Sequence, residues 1–187
     1  MDIHPLTPDR WPAFETLFSR GGPQNMCWCV WWRTPPKTME HRTRADNKAA
    51  MAQIVADGAE PGLLAYDGDA AVGWIAIAPR SDVEARFTPR ARVYRKIDDV
   101  PVWAVTCFFI RRDHRGQGVG TALLNAAVDY AFAHGAPMIE AYPMIPQENT
   151  PLSEYSAFTG TLPLFLKVGF VEVARPTPAR AIVRKAP

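Results

Sequence analysis

Apolar positions along the chain switch repeatedly between a two-residue and a 3.6-residue rhythm, the pattern of alternating strands and helices. Val102 to Ile110 is an almost unbroken apolar and aromatic run, as a central strand buried on both faces requires. Gly118 to Ala133 then reads as the strongest helix. Val119, Leu123, Leu124, Ala127, Val128, Ala131 and Phe132 share one side, Thr121, Asn125 and Asp129 the other, and Gly135 with Pro137 ends it. Met138 to Tyr142 follows as a strand. Upstream, Asp2 to Leu6 predicts a short strand, and Thr7-Pro8 caps a helix carrying Trp11, Phe14, Leu17 and Phe18. A second helix is expected over Thr38 to Asp57. Gly62 to Tyr66 and Ala70 to Ala78 flank Asp67-Gly68-Asp69 as a hairpin. The tail predicts a helix at Leu162 to Val168 and strands at Phe170 to Ala174 and Ala181 to Arg184. Alternation of this kind indicates an α/β fold.

Two stretches keep neither rhythm. Gln24 to Pro36 holds Cys27, Trp28, Cys29, Trp31 and Trp32 and reads as an aromatic loop or distorted turn. Residues 79–101 carry Pro79, Pro89 and Pro101 among basic side chains, and a connection of that length inside a compact domain is usually functional, here a candidate lid. With 187 residues, 48% of them apolar, one domain spanning 1–187 is the default. A net charge of +2 gives no electrostatic reason to expect nucleic acid or an anionic membrane as partner. No apolar run approaches the ~20 residues of a membrane span, and the first residues lack a signal peptide's pattern, so a cytoplasmic location is expected. Three cysteines, two of them nearly adjacent, imply no disulfide framework.

The informative stretch is Phe108-Phe109-Ile110-Arg111-Arg112-Asp113-His114-Arg115-Gly116-Gln117-Gly118-Val119-Gly120-Thr121. A buried strand enters a glycine-rich turn that opens an amphipathic helix. Helix N-termini offer unpaired N–H groups and a positive dipole end, so phosphate is favoured there. The glycines let it approach, and Arg115 adds charge. A P-loop would need a Lys that the turn lacks. A Rossmann fingerprint would need Gly or Ala where Thr121 or Leu123 stands.

Arg115-Gly116-Gln117-Gly118-Val119-Gly120 resembles the Arg/Gln-x-x-Gly-x-Gly/Ala motif of the GNAT superfamily of N-acetyltransferases, with its strand before and helix after. Val72-Gly73-Trp74, Met138 to Tyr142 and Leu164 to Phe170 fall where that family places corresponding elements, so the resemblance covers most of the chain. It implies a single-domain α/β fold whose mixed central sheet splays between two central strands. The implied activity is transfer of the acyl group of acetyl-CoA, or a related acyl-CoA, directly to the amine of a small molecule or peptide. The alternative is a nonenzymatic acyl-CoA-binding sensor or regulator. Backbone N–H groups of Arg115, Gly116, Gln117, Gly118, Val119, Gly120 and Thr121 would hold the pyrophosphate. Phe108, Phe109 and Ile110 would offer the strand edge to pantetheine. A homodimer is compatible with the chain, and neither nucleic acid nor membrane is implied.

Catalytic groups are harder to assign. The tyrosine that protonates the CoA thiolate in many members of the resembled family is replaced by Phe165, leaving Tyr155 and Tyr142 as candidate acids. Glu140, in the strand beside the splay, is the first candidate for the base. Glu148, Asp98 and Asp99 follow it. His114 belongs to the phosphate turn. Trp28, Trp31 and Trp32 fall in a region that lines the acceptor site in the resembled family. Cys27-x-Cys29 lacks the four-ligand spacing of zinc, so no metal is expected. A covalent acyl-cysteine would require a cationic setting or a nearby His.

Overall fold

Seven strands form one open sheet in the order β1-β2-β3-β4-β5-β7-β6. They are β1 (Asp2–Pro5), β2 (Gly62–Asp67), β3 (Ala70–Pro79), β4 (Trp103–Ile110), β5 (Ile139–Ala141), β6 (Val171–Thr177) and β7 (Arg180–Lys185). The structure, a computed structural model, describes residues 1–87, 91, 93–148 and 157–187. Every neighbouring pair is antiparallel except β4 and β5, which run parallel because helix α5 (Val119–Ala133) carries the chain back between them. One sheet face buries α5 and the short α6 (Leu162–Lys167), with Leu123, Leu124, Ala127 and Phe165 at 0% exposure. The other face carries α1 (Trp11–Ser19), α2 (Pro23–Cys27) and α4 (Arg44–Ala56), with the short α3 (Pro36–Met39) preceding α4 in the chain.

The expected second helix is divided. Thr43 accepts the Asp46 N–H at 3.2 Å while the Asp46 carboxylate accepts the Thr43 N–H at 2.8 Å. This capping box starts α4 at Arg44 and leaves α3 as a separate turn. Thr7 makes no cap bond; its hydroxyl accepts from Arg10 Nη1 at 2.8 Å. The aromatic loop contains α2 and a 3-10 turn, Trp31–Arg33. Between them Trp28 and Cys29 take φ of 44° and 60°, two consecutive left-handed residues that are not glycine. Such backbone costs about 1 to 2 kcal/mol per residue, so packing must hold it. Trp28 supplies that packing, fully buried against Trp11, Phe14 and Phe18.

Two irregularities in β4 shape everything beyond it. Ala76 pairs with Cys107 but Ile77 pairs with Val105, so Thr106 is an extra residue in the ladder. The bulge shifts the alternation by one: Val105 packs on the α5 face and Cys107 on the opposite face. The β4–β5 ladder then ends at Val105–Ala141. In the widening gap residues 157–161 intervene: the Phe108 N–H donates to Phe158 O at 2.6 Å, and the Met144 N–H to Gly160 O at 2.9 Å.

Residues leading out of β3 and back into β4 are fastened by ion pairs. Arg80 donates to Val100 O at 3.0 Å, and Arg184 of β7 holds Asp98 in a two-pronged pair at 2.6 and 2.7 Å. The Arg184 hydrogen bonds lower the Asp98 pKa to about 2 from 3.8. A depressed carboxyl stabilises the fold above its ordinary value and loses that contribution as pH falls through the folded one. Unfolding followed by circular dichroism between pH 3.8 and about 2 should therefore show stability falling more steeply in the wild type than in Asp98→Asn.

Candidate functional site

The glycine-rich turn is tied down on both sides. Arg111 N–H donates to Val72 O and Arg115 Nε to Ile110 O, each at 2.9 Å. His114 Nε2 lies 3.2 Å from Asp67 of the β2–β3 hairpin, and hydrogen bonding to Asp113, then Asp67, raises the His114 pKa. Gly116 and Gly118 stand at φ of 73° and 84°, and a Cβ on either would project into open space. These glycines are therefore required for backbone conformation, and the hollow before them is clear. The Ala122 N–H makes the first helical bond, to Gly118 O at 3.0 Å. The N–H groups of Val119, Gly120 and Thr121 thus have no carbonyl partner within α5. With the helix dipole and Arg115 they form a concave donor set of the kind a pyrophosphate fits.

A cavity of about 680 Å³ adjoins this turn. Residues 107–110 of β4 and Arg115 line it, joined by Trp31, Trp32, Tyr94 and Phe158, by Arg180, and by Cys27 and Cys29. Arg86 lies 4.1 Å from the Trp31 ring and donates to its carbonyl at 2.9 Å, setting that ring's orientation. Arg180 sits 5.9 Å from the Tyr94 ring and donates to Thr159 Oγ1 at 2.6 Å. Among the described residues lining the cavity there is no Asp, Glu or His. No group of three or more His, Cys, Asp or Glu among the described residues is arranged to hold a metal ion. No helix among them is long and apolar enough to cross a membrane.

Several expected site residues lie elsewhere. Glu140 is 0% exposed, and its carboxylate accepts from Arg80 Nη1 at 3.0 Å, Arg184 Nε at 2.7 Å and the Tyr142 hydroxyl at 2.5 Å. With both oxygens engaged and no solvent contact it cannot draw a proton from an incoming amine. Tyr142 fails as an acid for the same reason: burial, then Glu140, pushes its pKa well above 10, and its hydroxyl is committed. Trp28 is core and not cavity wall, whereas Trp31 and Trp32 do line the cavity. Phe165 is fully buried against Phe108 and Phe170. Tyr155 lies outside the described residues. Phe108, Phe109 and Ile110 line the cavity, but the Phe108 N–H is already bonded to Phe158 O, so pantetheine can use that donor only if the 157–161 segment yields. Nothing in the sequence rhythm marks Tyr94, Phe158 or Arg180. Arg184 did carry a signal, a charge closing the apolar run Ala181-Ile182-Val183 directly opposite Glu140.

A family model described as the acetyltransferase (GNAT) family matches residues 24–150. No curated protein matches the chain at a significant level. Among solved structures, an N-acetyltransferase from Staphylococcus aureus Mu50 is similar at 14% identity and a TM-score of 0.55, covering 99% of this chain and 97% of that one. An aminoglycoside 6'-N-acetyltransferase from Acinetobacter haemolyticus is similar at 16% identity and a TM-score of 0.53, covering 94% of each chain. A ribosomal-protein-alanine N-acetyltransferase from Brucella melitensis is similar at 15% identity and a TM-score of 0.53, covering 100% and 99%. At these identities the likeness is one of fold.

Two measurements test this geography. Gln117 is exposed on the turn, and Gln117→Glu places a carboxylate beside the donor set without altering a glycine. Calorimetry should show CoA affinity falling about tenfold, ~1.4 kcal/mol, with melting lowered only by the loss of the exposed Gln117 Nε2 bond to Asp113 O at 2.8 Å. Glu140→Gln, by contrast, takes the carboxylate partner from the buried Arg80 and leaves Arg184 with Asp98 alone. Denaturant titration should show a loss of about 3 to 5 kcal/mol.

Proposed function

The chain belongs to the GNAT acetyltransferase family, and from that premise we propose that it transfers the acyl group of acetyl-CoA, or a related acyl-CoA, to the amine of a small, largely apolar molecule or peptide. One observation carries the reading: the turn that offers unpaired backbone donors opens onto the same cavity that Trp31, Trp32, Tyr94 and Phe158 wall with aromatic rings. A phosphate-bearing cofactor and a flat apolar acceptor would thus meet against β4. Arg115 and the N–H groups from Gly116 to Thr121 hold the pyrophosphate. The acyl end lies toward Cys107, where the bulge at Thr106 turns the strand's side chains to the acceptor's face of the sheet. Aromatic walls give the acceptor area and leave its amine to be desolvated at the thioester, which raises nucleophilicity if the amine arrives uncharged.

The acceptors named for similar structures differ widely, an aminoglycoside in one and a ribosomal protein's alanine in another. A polycationic aminoglycoside does not suit this cavity, because no described carboxylate lines it and Arg180 and Arg115 do.

The test is release of free CoA thiol from acetyl-CoA across a panel of amines that varies in size, charge and aromatic content. Apolar amines are expected to turn over, and aminoglycosides are not. Trp31→Ala should raise the KM of the preferred amine about tenfold, equivalent to ~1.4 kcal/mol of lost ring contact, with the KM for acetyl-CoA unchanged. A parallel rise in both constants would place Trp31 outside the acceptor site.

A further inference from the structure

Tyr142, buried behind the aromatic wall, seats two of the groups that line the cavity, Arg180 and Trp32. Its carbonyl accepts from Arg180 Nη1 at 3.4 Å, and Thr159 Oγ1 accepts from the same nitrogen at 2.6 Å. Its ring stacks on Trp32 at 5.6 Å. Tyr94 joins the two, with its ring 4.5 Å from that of Trp32 and 5.9 Å from the guanidinium. Trp32 is 2% exposed, and its indole Nε1 is buried with no hydrogen-bond partner among the described residues. A buried donor in that state is costly until an oxygen reaches it. Trp28 holds a second such indole in the core, so the N–H alone identifies nothing. Its conjunction with a seated cation on one cavity does.

We propose that Arg180 and the Trp32 indole bind a carboxylate on the acceptor, and that the acceptor is an α-amino acid with an aromatic side chain; this rests on the N-acyltransferase reading and names its substrate. A guanidinium presents its donors in a fork that matches a carboxylate, and an indole N–H adds a further bond to one oxygen. Tyr94 and Phe158, with ring centroids 5.8 and 6.1 Å from that of Trp31, supply flat apolar area for a side-chain ring. The placement agrees. Thr159, which anchors Arg180, follows Phe158, whose carbonyl accepts the Phe108 N–H, so the guanidinium is held one residue from a contact with β4. The acyl end lies on the neighbouring stretch of β4, and an α-amino acid carries its amine on the carbon next to its carboxylate. Arg115, at the glycine turn, stays with the pyrophosphate. In the transfer the amine nitrogen bonds to the acyl carbon, the C–S bond to CoA breaks, and a proton from the nitrogen ends on the CoA sulfur. An N-acyl amino acid and free CoA result.

The test uses matched acceptors: phenylalanine, tyrosine and tryptophan against phenethylamine, tyramine and tryptamine, which lack only the carboxylate. Release of CoA thiol from acetyl-CoA gives kcat/KM for each, and the best amino acid is expected to exceed its own amine by roughly 100-fold. Arg180→Gln should bring that ratio close to one, and Arg180→Lys, which keeps the charge without the fork, should restore part of it. Trp32→Phe keeps a ring, removes the N–H, and should lower the ratio about tenfold. Both acceptors meet the same sample, so the ratio is independent of how much of a variant is folded. A wild-type ratio near one, a ratio that Arg180→Gln leaves intact, or turnover confined to amines outside these pairs overturns the proposal and leaves the transferase reading standing. Absence of thiol release with every amine, together with failure to bind CoA by calorimetry, overturns both.

Discussion

Only three register pairs, Trp103–Ile139, Ala104–Glu140 and Val105–Ala141, join β4 directly to β5, and the position of every functional group follows from where that ladder stops. A parallel pair of strands is stable when both faces are covered, and here α5 covers one face while the aromatic elements cover the other. Past Val105 the strands part. The space between them admits the 157–161 segment, and the β4 residues that would otherwise be shared with β5 become the floor of a cavity. The same strand runs on into the glycine turn, so the unpaired backbone donors at the helix start and the cavity are fixed to one rigid element and keep their spacing. Precision of this kind is what a two-substrate reaction requires.

At the base of the gap lies an ionic cluster that is costly to bury. Glu140 faces Arg80 and Arg184, and Arg184 also holds Asp98, so two cations and two anions balance within the cluster. Replacing such a group with apolar side chains often costs nothing in stability, so its value lies in specificity of arrangement. It fixes the end of β3, the middle of β5, β7 and the approach to β4 against one another. The hydroxyl of Tyr142 joins the same carboxylate, which seats its ring beneath Trp32 at 5.6 Å in a stacked geometry. The ionic cluster thus supports the aromatic wall from behind.

Strand and helix rhythm made nearly every element legible, because β2, β3 and β4 run as short apolar stretches buried on both faces while α5 buries one consistent face. The glycine-rich turn was legible for a different reason: what it offers is backbone, and backbone requirements leave glycines in the sequence. Side-chain chemistry was less visible. Glu140 looked like a base because position in a strand beside the splay says nothing of two arginines, one from β7 and one from the end of β3, that enclose it. Trp28 and Trp31 are three residues apart, yet one is core and the other cavity wall, since the left-handed pair Trp28 and Cys29 redirects the chain. Local rhythm carries no trace of such a turn. Cys107 read as an ordinary buried strand residue, and the bulge beside it keeps it on the face that holds Cys29.

Thr106 therefore acts on the strand as a single inserted letter acts on a reading frame. Along β4 side chains alternate sides, and a residue taken out of the alternation by a bulge reverses the side that every later position would otherwise take. Straighten the strand with Thr106 kept in the ladder, and Cys107 and Phe109 would turn to the α5 side, with Phe108 and Ile110 presented to the opposite side. A phenylalanine and an isoleucine would then stand in place of a thiol and a phenylalanine, under a sheet whose hydrogen bonds had become more regular. The irregularity is the means by which this buried central strand presents its sulfur on the face that holds Cys29.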